Sequence, residues 1–417
     1  MKQRLIEIGK NVLIVLLSCS LLFLTLSAIP SHSIRTNPRL AGLLQPIAPL
    51  LGLPEAEVTQ VAEAAPVLDA AQPIAISVMN DAGRCSAMWN FDALDTAFER
   101  FAPHLGLALS EATQFTRVSQ EQVQIALAEN SVYLRYAKPL PASLLAFWLD
   151  STLEAAVGNV GACILSASED TVRLYLLGAV NYCAETSISS NDLHDHLQTY
   201  TPDGSVFAFE TEYSLAPLSL LPGRAPAVPA VTASNPCDSR YINALATAMG
   251  FNPYGEGRYT DDRGDTVFSE TNASLEITAG GRVTYRSENP RFAADSTQPE
   301  VLTETARQLT DLIFSDIPGE GRLYLTAFEQ TEESTICRFT RMISGLPVYM
   351  AGDAACITFT GSAITEAVLQ LHSFTGAGKT IHPLPTEQAA AMLPRGSTLE
   401  MAYFLNADQT LTAGWIQ

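Results

Sequence analysis

A chain of 417 residues, 47% of them hydrophobic, has the length for two or three domains and the apolar content to bury their cores, which excludes a disordered protein. Its formal net charge of −20 excludes a nucleic-acid partner, because 24 basic residues stand against 44 acidic ones and the four lysines, Lys2, Lys10, Lys138 and Lys379, make no patch for a phosphate backbone. Five of the basic residues fall in the first 40, so the remainder is more acidic still, with 19 basic against 43 acidic.

Residues 1–10 read as a short cytoplasmic tail, in which Lys2, Arg4 and Lys10 outweigh Glu7. The following stretch, Asn11 to Ile29 (NVLIVLLSCSLLFLTLSAI), carries no charge, and twelve of its nineteen residues are Leu, Ile, Val or Phe. A helix of that length reaches about 28 Å, against about 30 Å of bilayer hydrocarbon. Positive charge stays cytoplasmic, so the sequence predicts a single-pass type II anchor in the cell membrane with the bulk of the chain outside. A cleaved signal peptide has a core of about 7–15 residues followed by a small-x-small site. Here the core is longer, and Leu26 stands two positions before Ala28. Within the span Asn11, Ser18 and Thr25 recur every seven residues, the spacing that keeps one seam against a partner helix. The competing use of Ser and Thr is a bond to their own helix carbonyls.

Residues 30–74 hold seven prolines and read as a stalk. From there the pattern tightens into a first α+β domain over 75–216. IAISVMN alternates as a strand, and FDALDTAFERFAPHLGLAL repeats apolar residues at helical spacing after an Asn90 cap. SVYLRYA reads as a strand and LLAFWLDSTLEAAVG as a helix; ACILSAS, TVRLYLLGA and VNYCAET follow as strands. Residues 217–237 are proline-rich and read as a linker without regular structure. A helix, YINALATAMGF, and a meander of four short strands then predict a subdomain over 238–292. The plan repeats over 293–417, with VLTETARQLTDLIF as helix and RLYLTAFEQ, TICRFTRMI, PVYMAG, CITFTG and AITEAVLQLHSF as strands. The string GEGR, at Gly255–Arg258 and again at Gly319–Arg322, precedes a strand each time.

Six cysteines lie beyond the apolar span: Cys85, Cys163, Cys183, Cys237, Cys337 and Cys356. None forms a CxxC or takes zinc-finger spacing with His. A hairpin centred on Ser344, Gly345, Leu346 and Pro347 sets Cys337 diagonally across from Cys356, at the edge of disulfide distance; a bridge and two small buried thiols both stay open.

GFNPYGEGRYTDDRGDTVF with SLEITAGGRVTYRS, and SGLPVYMAGDAACITFTGSAITEAVLQLHSF with PLPTEQAAAML, resemble the YycH and YycI family over roughly residues 241–393. Its members are membrane-anchored extracytoplasmic regulators of an essential cell-envelope two-component system in low-GC Gram-positive bacteria. The resemblance implies one N-terminal membrane helix, external α+β domains, no catalysis and no cofactor. It also implies contact with a sensor histidine kinase, and with a paralogous regulator, through membrane helices as well as external domains.

Chemistry-bearing motifs are sparse. TGAGKT at Thr375–Thr380 lacks the first glycine of a phosphate-binding loop, since Ser373 stands there, and it does not open a helix. Asp192, His194 and His196 alternate, but the segment reads as a loop running into a helix, where i and i+2 diverge, so no metal set is expected. The remaining histidines, His32, His104, His372 and His382, are scattered. Neither GxSxG nor HExxH occurs. Arg263, Gly264 and Asp265 spell an adhesion tripeptide inside what reads as a hairpin turn.

The expectation is therefore an α+β protein, an N-terminal transmembrane helix followed by extracytoplasmic cystatin-like or PepSY-like units of helix plus antiparallel β-meander. It is expected to bind and modulate a sensor histidine kinase. The alternative is an extracytoplasmic binding or protease-inhibitor-like module, or a cell-envelope hydrolase whose carboxylate pair meets only in space.

Overall fold

The computed structural model describes residues 68–416 apart from residue 169; the apolar span with Asn11, Ser18 and Thr25, and most of the stalk, lie outside them. The protein is α+β, with seven α-helices and mostly antiparallel sheets among the described residues. No helix among those residues is long and apolar enough to cross a membrane.

The first sheet begins with β1 (Ala75–Asn80) and β2 (Gly83–Met88), a hairpin whose turn is fixed by Asn80 Oδ1 accepting from the Ala82 and Gly83 amides. Helix α1 (Phe91–Glu111) starts where Asn90 Oδ1 accepts from Ala93 N at 3.2 Å. Leu94, Ala97, Phe98, Phe101, Leu105, Ala108 and Leu109 recur at three and four residues and form its buried stripe, while Pro103 lies on the exposed side. There follow β3 (Thr116–Arg117), α2 (Gln120–Ala128), β4 (Ser131–Pro141), α3 (Ala142–Trp148), β5 (Asn159–Ser168), β6 (Thr171–Gly178), β7 (Tyr182–Ser189) and α4 (Ser190–Leu197). The seven strands run in the order β2-β1-β4-β5-β6-β7-β3, each antiparallel to its neighbour. Period-two alternation sends Val132, Leu134, Cys163, Leu165, Leu174 and Leu176 to the face shared with α1. It sends Tyr133, Ala162, Ile164, Tyr175 and Leu177 to the face covered by Val123, Ala126 and Leu127 of α2. The helix predicted through 144–158 stops at Trp148: Asp150 takes φ 52°, and Ser151 Oγ donates to the Gly106 carbonyl at 2.6 Å, turning the chain onto α1.

A short pair, β8 (Val206–Phe207) and β9 (Leu220–Leu221), leads to β10 (Val228–Ser234) and α5 (Ser239–Ala248). The stretch 217–237 thus carries two strands where proline content argues for none. Pro229 fits because it sits where the register of β10 shifts, a place at which a ladder tolerates a missing N–H.

The larger sheet contains β11 (Arg258–Thr260), β12 (Thr266–Glu270), β13 (Ala273–Ile277) and β14 (Arg282–Ser287). After α6 (Pro299–Phe314) come β15 (Arg322–Gln330), β16 (Thr335–Ile343), β17 (Leu346–Tyr349), β18 (Ala355–Thr360), β19 (Ala363–Gln370) and β20 (Ser373–Ile381), then α7 (Thr386–Met392), β21 (Met401–Leu405) and β22 (Leu411–Trp415). Eleven of these strands join in the order β11-β12-β13-β14-β19-β18-β16-β17-β21-β22, with β15 also on β16, so residues 238–292 and 293–417 contribute to one sheet. β17 and β21 pair in parallel, and β20 leaves to pair with β10. Both GEGR arginines open strands, β11 and β15. A Cβ on Gly257 would stand 2.0 Å from the Ser269 carbonyl oxygen, and Gly321 holds φ 107°, so both turns demand glycine.

One apolar core runs through both sheets. It includes Leu94, Phe101 and Leu105 of α1, Leu144, Leu145 and Trp148 of α3, and Leu302, Leu309 and Ile313 of α6, together with Tyr285, Phe339 and Phe359 of the larger sheet. At its edge Arg322 grips Asp95 of α1 with two bonds of 2.7 Å, donates to Gln72 Oε1 at 2.6 Å, and lies 4.4 Å over the Phe91 ring. Tyr324 donates to the same Gln72 oxygen at 2.9 Å and stacks on Phe91, and Gln72 Nε2 bonds Asp95.

The hydrogen bonds from Arg322 hold the Asp95 carboxyl below its usual pKa. Stability from that pairing is therefore complete above the unfolded carboxylate value, about 3.9, and disappears as pH falls through the lowered native one. A double-mutant cycle with Asp95→Asn and Arg322→Gln, read by urea unfolding, is expected to give a coupling of about 1 kcal/mol at pH 7, since both groups are about one-third exposed, and a smaller coupling below about pH 4.

Candidate functional site

The one group of described side chains able to present three metal-ligating atoms together is His104, Asp192 and His196. Two helices position it. His104 follows Pro103 on α1, whose buried stripe fixes the helix on the sheet. Asp192 and His196 are four residues apart on α4, so they share one face, while Leu193 and Leu197 anchor the other side of that helix in the core. Asp192, in the first turn, suits the positive end of the helix dipole.

His104 Nε2 and Asp192 Oδ2 are 2.9 Å apart, and the His104 and His196 rings meet edge to face with centroids 5.0 Å apart. The ligand atoms of all three residues lie within 4.8 Å of one another. Nδ1 of His104 is buried with no hydrogen-bond partner. His194, the middle member of the sequence cluster, turns away to Asn130 at 3.4 Å and Asp81 at 3.8 Å. Alternation in the sequence thus picks out two of the three residues and one bystander. The i, i+4 spacing of Asp192 and His196 was present to be read, whereas His104 stands 88 residues away and only the packing of α1 against α4 brings it in.

The other residues singled out in the sequence have structural occupations. Thr375–Thr380 lies inside β20, extended and paired with β10, and does not form a loop at a helix start. Arg263, in the turn from β11 to β12, contacts Asp261 and Asp265 there and Glu276 of β13, and Asp265 Oδ1 accepts from Ala279 N at 2.9 Å, so the tripeptide is engaged by its own turn and by the neighbouring strand and turn.

Of the two readings left open for Cys337 and Cys356, the bridge is not formed, and all six cysteines beyond the apolar span are free. Register is the reason. Cys337 pairs with Ile357 and Cys356 with Arg338, so Cys337 faces the core and Cys356 the opposite side, where Arg338 Nη1 approaches its sulfur at 3.5 Å. Burial pushes the Cys337 thiol up to about 12 and the Cys85 and Cys237 thiols to about 11, and it raises Cys163 as well. Thiols held protonated are poor nucleophiles and poor metal ligands.

Comparison of the chain with protein-family models, with curated proteins and with solved structures finds no match.

Iodoacetamide at pH 8 without reductant is expected to leave Cys163 and Cys337 unmodified in the native protein and to label both after unfolding in urea, as read by peptide mass spectrometry. Loss of label at Cys337 and Cys356 together in the unfolded sample would show a bridge that the register does not accommodate.

Proposed function

We propose that the chain is a membrane-anchored extracytoplasmic regulator that binds and modulates a two-component sensor histidine kinase, with a paralogous regulator as a further partner. The observation that carries this reading is the uncharged run from Asn11 to Ile29, set between a cationic tail and a strongly acidic body. An anchor of that kind confines the body to the surface of the membrane that holds the kinase, which raises the effective concentration of each for the other without any new contact.

The succession of helix and antiparallel meander over the stretch that resembles the regulator family, α5 with β11–β14 and then α6 with β15–β19, supports the same reading. The acidic exterior disfavours adhesion to anionic headgroups, so the body stands off the bilayer and remains free to meet a protein. On this reading the membrane helix adds a second contact along Asn11, Ser18 and Thr25.

The test is co-purification, from membranes of the source cells, of a sensor histidine kinase with the tagged chain, identified by mass spectrometry. Full-length protein is expected to retain the kinase. At about 0.6 kcal/mol for each interhelical polar contact, changing Asn11, Ser18 and Thr25 together to Leu lowers recovery by about tenfold or more. Undiminished recovery with the triple variant removes the helix seam, and absence of the kinase with either form overturns the regulator reading.

A further inference from the structure

The cluster on α1 and α4 is independent of the membrane reading, and its chemistry points elsewhere. Two imidazoles and a carboxylate are the donor set of an open zinc-type site, in which a water takes the fourth position. We propose that His104, Asp192 and His196 bind one divalent transition-metal ion of the zinc class, clamping α4 to α1.

The geometry carries this. Zinc bonds of about 2.0–2.2 Å set tetrahedral donor separations of roughly 3.3–3.6 Å. Donor atoms already within 4.8 Å of one another reach that arrangement by small side-chain rotations, and the 2.9 Å contact between His104 and Asp192 needs only to open slightly. The two helices share the core, so the backbone is already in place. Asp192 and His196 use the i, i+4 spacing by which a single helix turn offers two ligands to one ion.

The state of the His104 ring supports the same conclusion. Its side chain is 11% exposed, its Nδ1 has no partner, and Asp192 supplies its single polar contact. An ion that inserts between Nε2 and the carboxylate therefore leaves the ring proton on Nδ1 and breaks no other hydrogen bond of the ring. Asp192 is 69% exposed, so the ion has an open approach. Arg100, one turn before His104 on α1, is engaged elsewhere, donating to Thr199 Oγ1 at 2.6 Å and lying over the Tyr200 ring. Metal-bound histidines usually donate their second N–H to an acceptor, and removing such a partner weakens binding by about 10–100-fold. With none at Nδ1, the expected affinity is micromolar rather than nanomolar.

The experiment is titration of metal-free full-length protein with ZnCl2 by calorimetry, paired with CoCl2 titration, in which visible absorption reports coordination by nitrogen and oxygen ligands. One equivalent is expected to bind, and zinc is expected to raise the unfolding temperature. His196→Ala and Asp192→Asn, both at solvent-accessible positions, should each weaken zinc binding by about tenfold or more and abolish the cobalt spectrum, with circular dichroism unchanged. His194→Ala, two positions from both Asp192 and His196 and turned instead to Asn130 and Asp81, should bind as the parent does. Three results would overturn the proposal: no zinc binding by the parent at 100 times a micromolar dissociation constant, equal loss in His194→Ala, or retention of the single site in both His196→Ala and Asp192→Asn, which would mark the bound ion as adventitious.

Discussion

Both sheets must bury an apolar face, and the helices that cover them, α1 and α3 on the first and α6 on the larger, meet in one core. This shared core is the constraint on which the rest of the body depends. A fully buried Leu, Ile or Phe contributes about 1.5–3 kcal/mol, and dozens of apolar side chains make up this core. The pairing of Arg322 with Asp95 contributes about 1 kcal/mol by comparison, because both groups remain partly hydrated. The ion pair therefore does not hold the sheets together. Its directional bonds to Asp95 and Gln72 favour one angle of docking among those that an apolar surface alone would permit.

The histidine cluster inherits its geometry from the same constraint. Phe101 and Leu105, on either side of His104 in sequence, are fully buried, so the rotation of α1 about its own axis is fixed and His104 has one outlook. Leu193 and Leu197 fix α4 in the same way. The polar residues between these anchors are then aimed by packing rather than by their own bonds. This explains how His104 can face Asp192 while its second nitrogen has no partner.

Much of the α+β architecture was legible in the sequence because its signals are local. Period-two alternation exposed most strands of both sheets, though not β2, β3, β21 or β22, and Asn90 with the stripe from Leu94 to Leu109 exposed α1. What could not be read was either quiet or distant. Helix α2 buries only Val123, Ala126 and Leu127, too few to produce a clear period, although Ser119 and Gln122 form a capping box that signals its start. Proline argued against β10, yet a bulge absorbs Pro229. The parallel pairing of β17 with β21 and the arrival of His104 beside Asp192 depend on long-range packing, for which sequence spacing has no counterpart. Between a bridge and two free thiols, one residue of register decides for the thiols, since it sends Cys337 and Cys356 to opposite faces.

The path of the chain between the two units has a mechanical consequence. The connecting segment is itself sewn in: β10 is paired with β20, and the Tyr403 hydroxyl donates to the Pro229 carbonyl. With a continuous interior on one side and a stitched connection on the other, a hinge between the two units would have to part core contacts as well as the β10–β20 ladder. Swinging one half against the other would thus expose apolar surface to water, a cost that favours the two halves moving together.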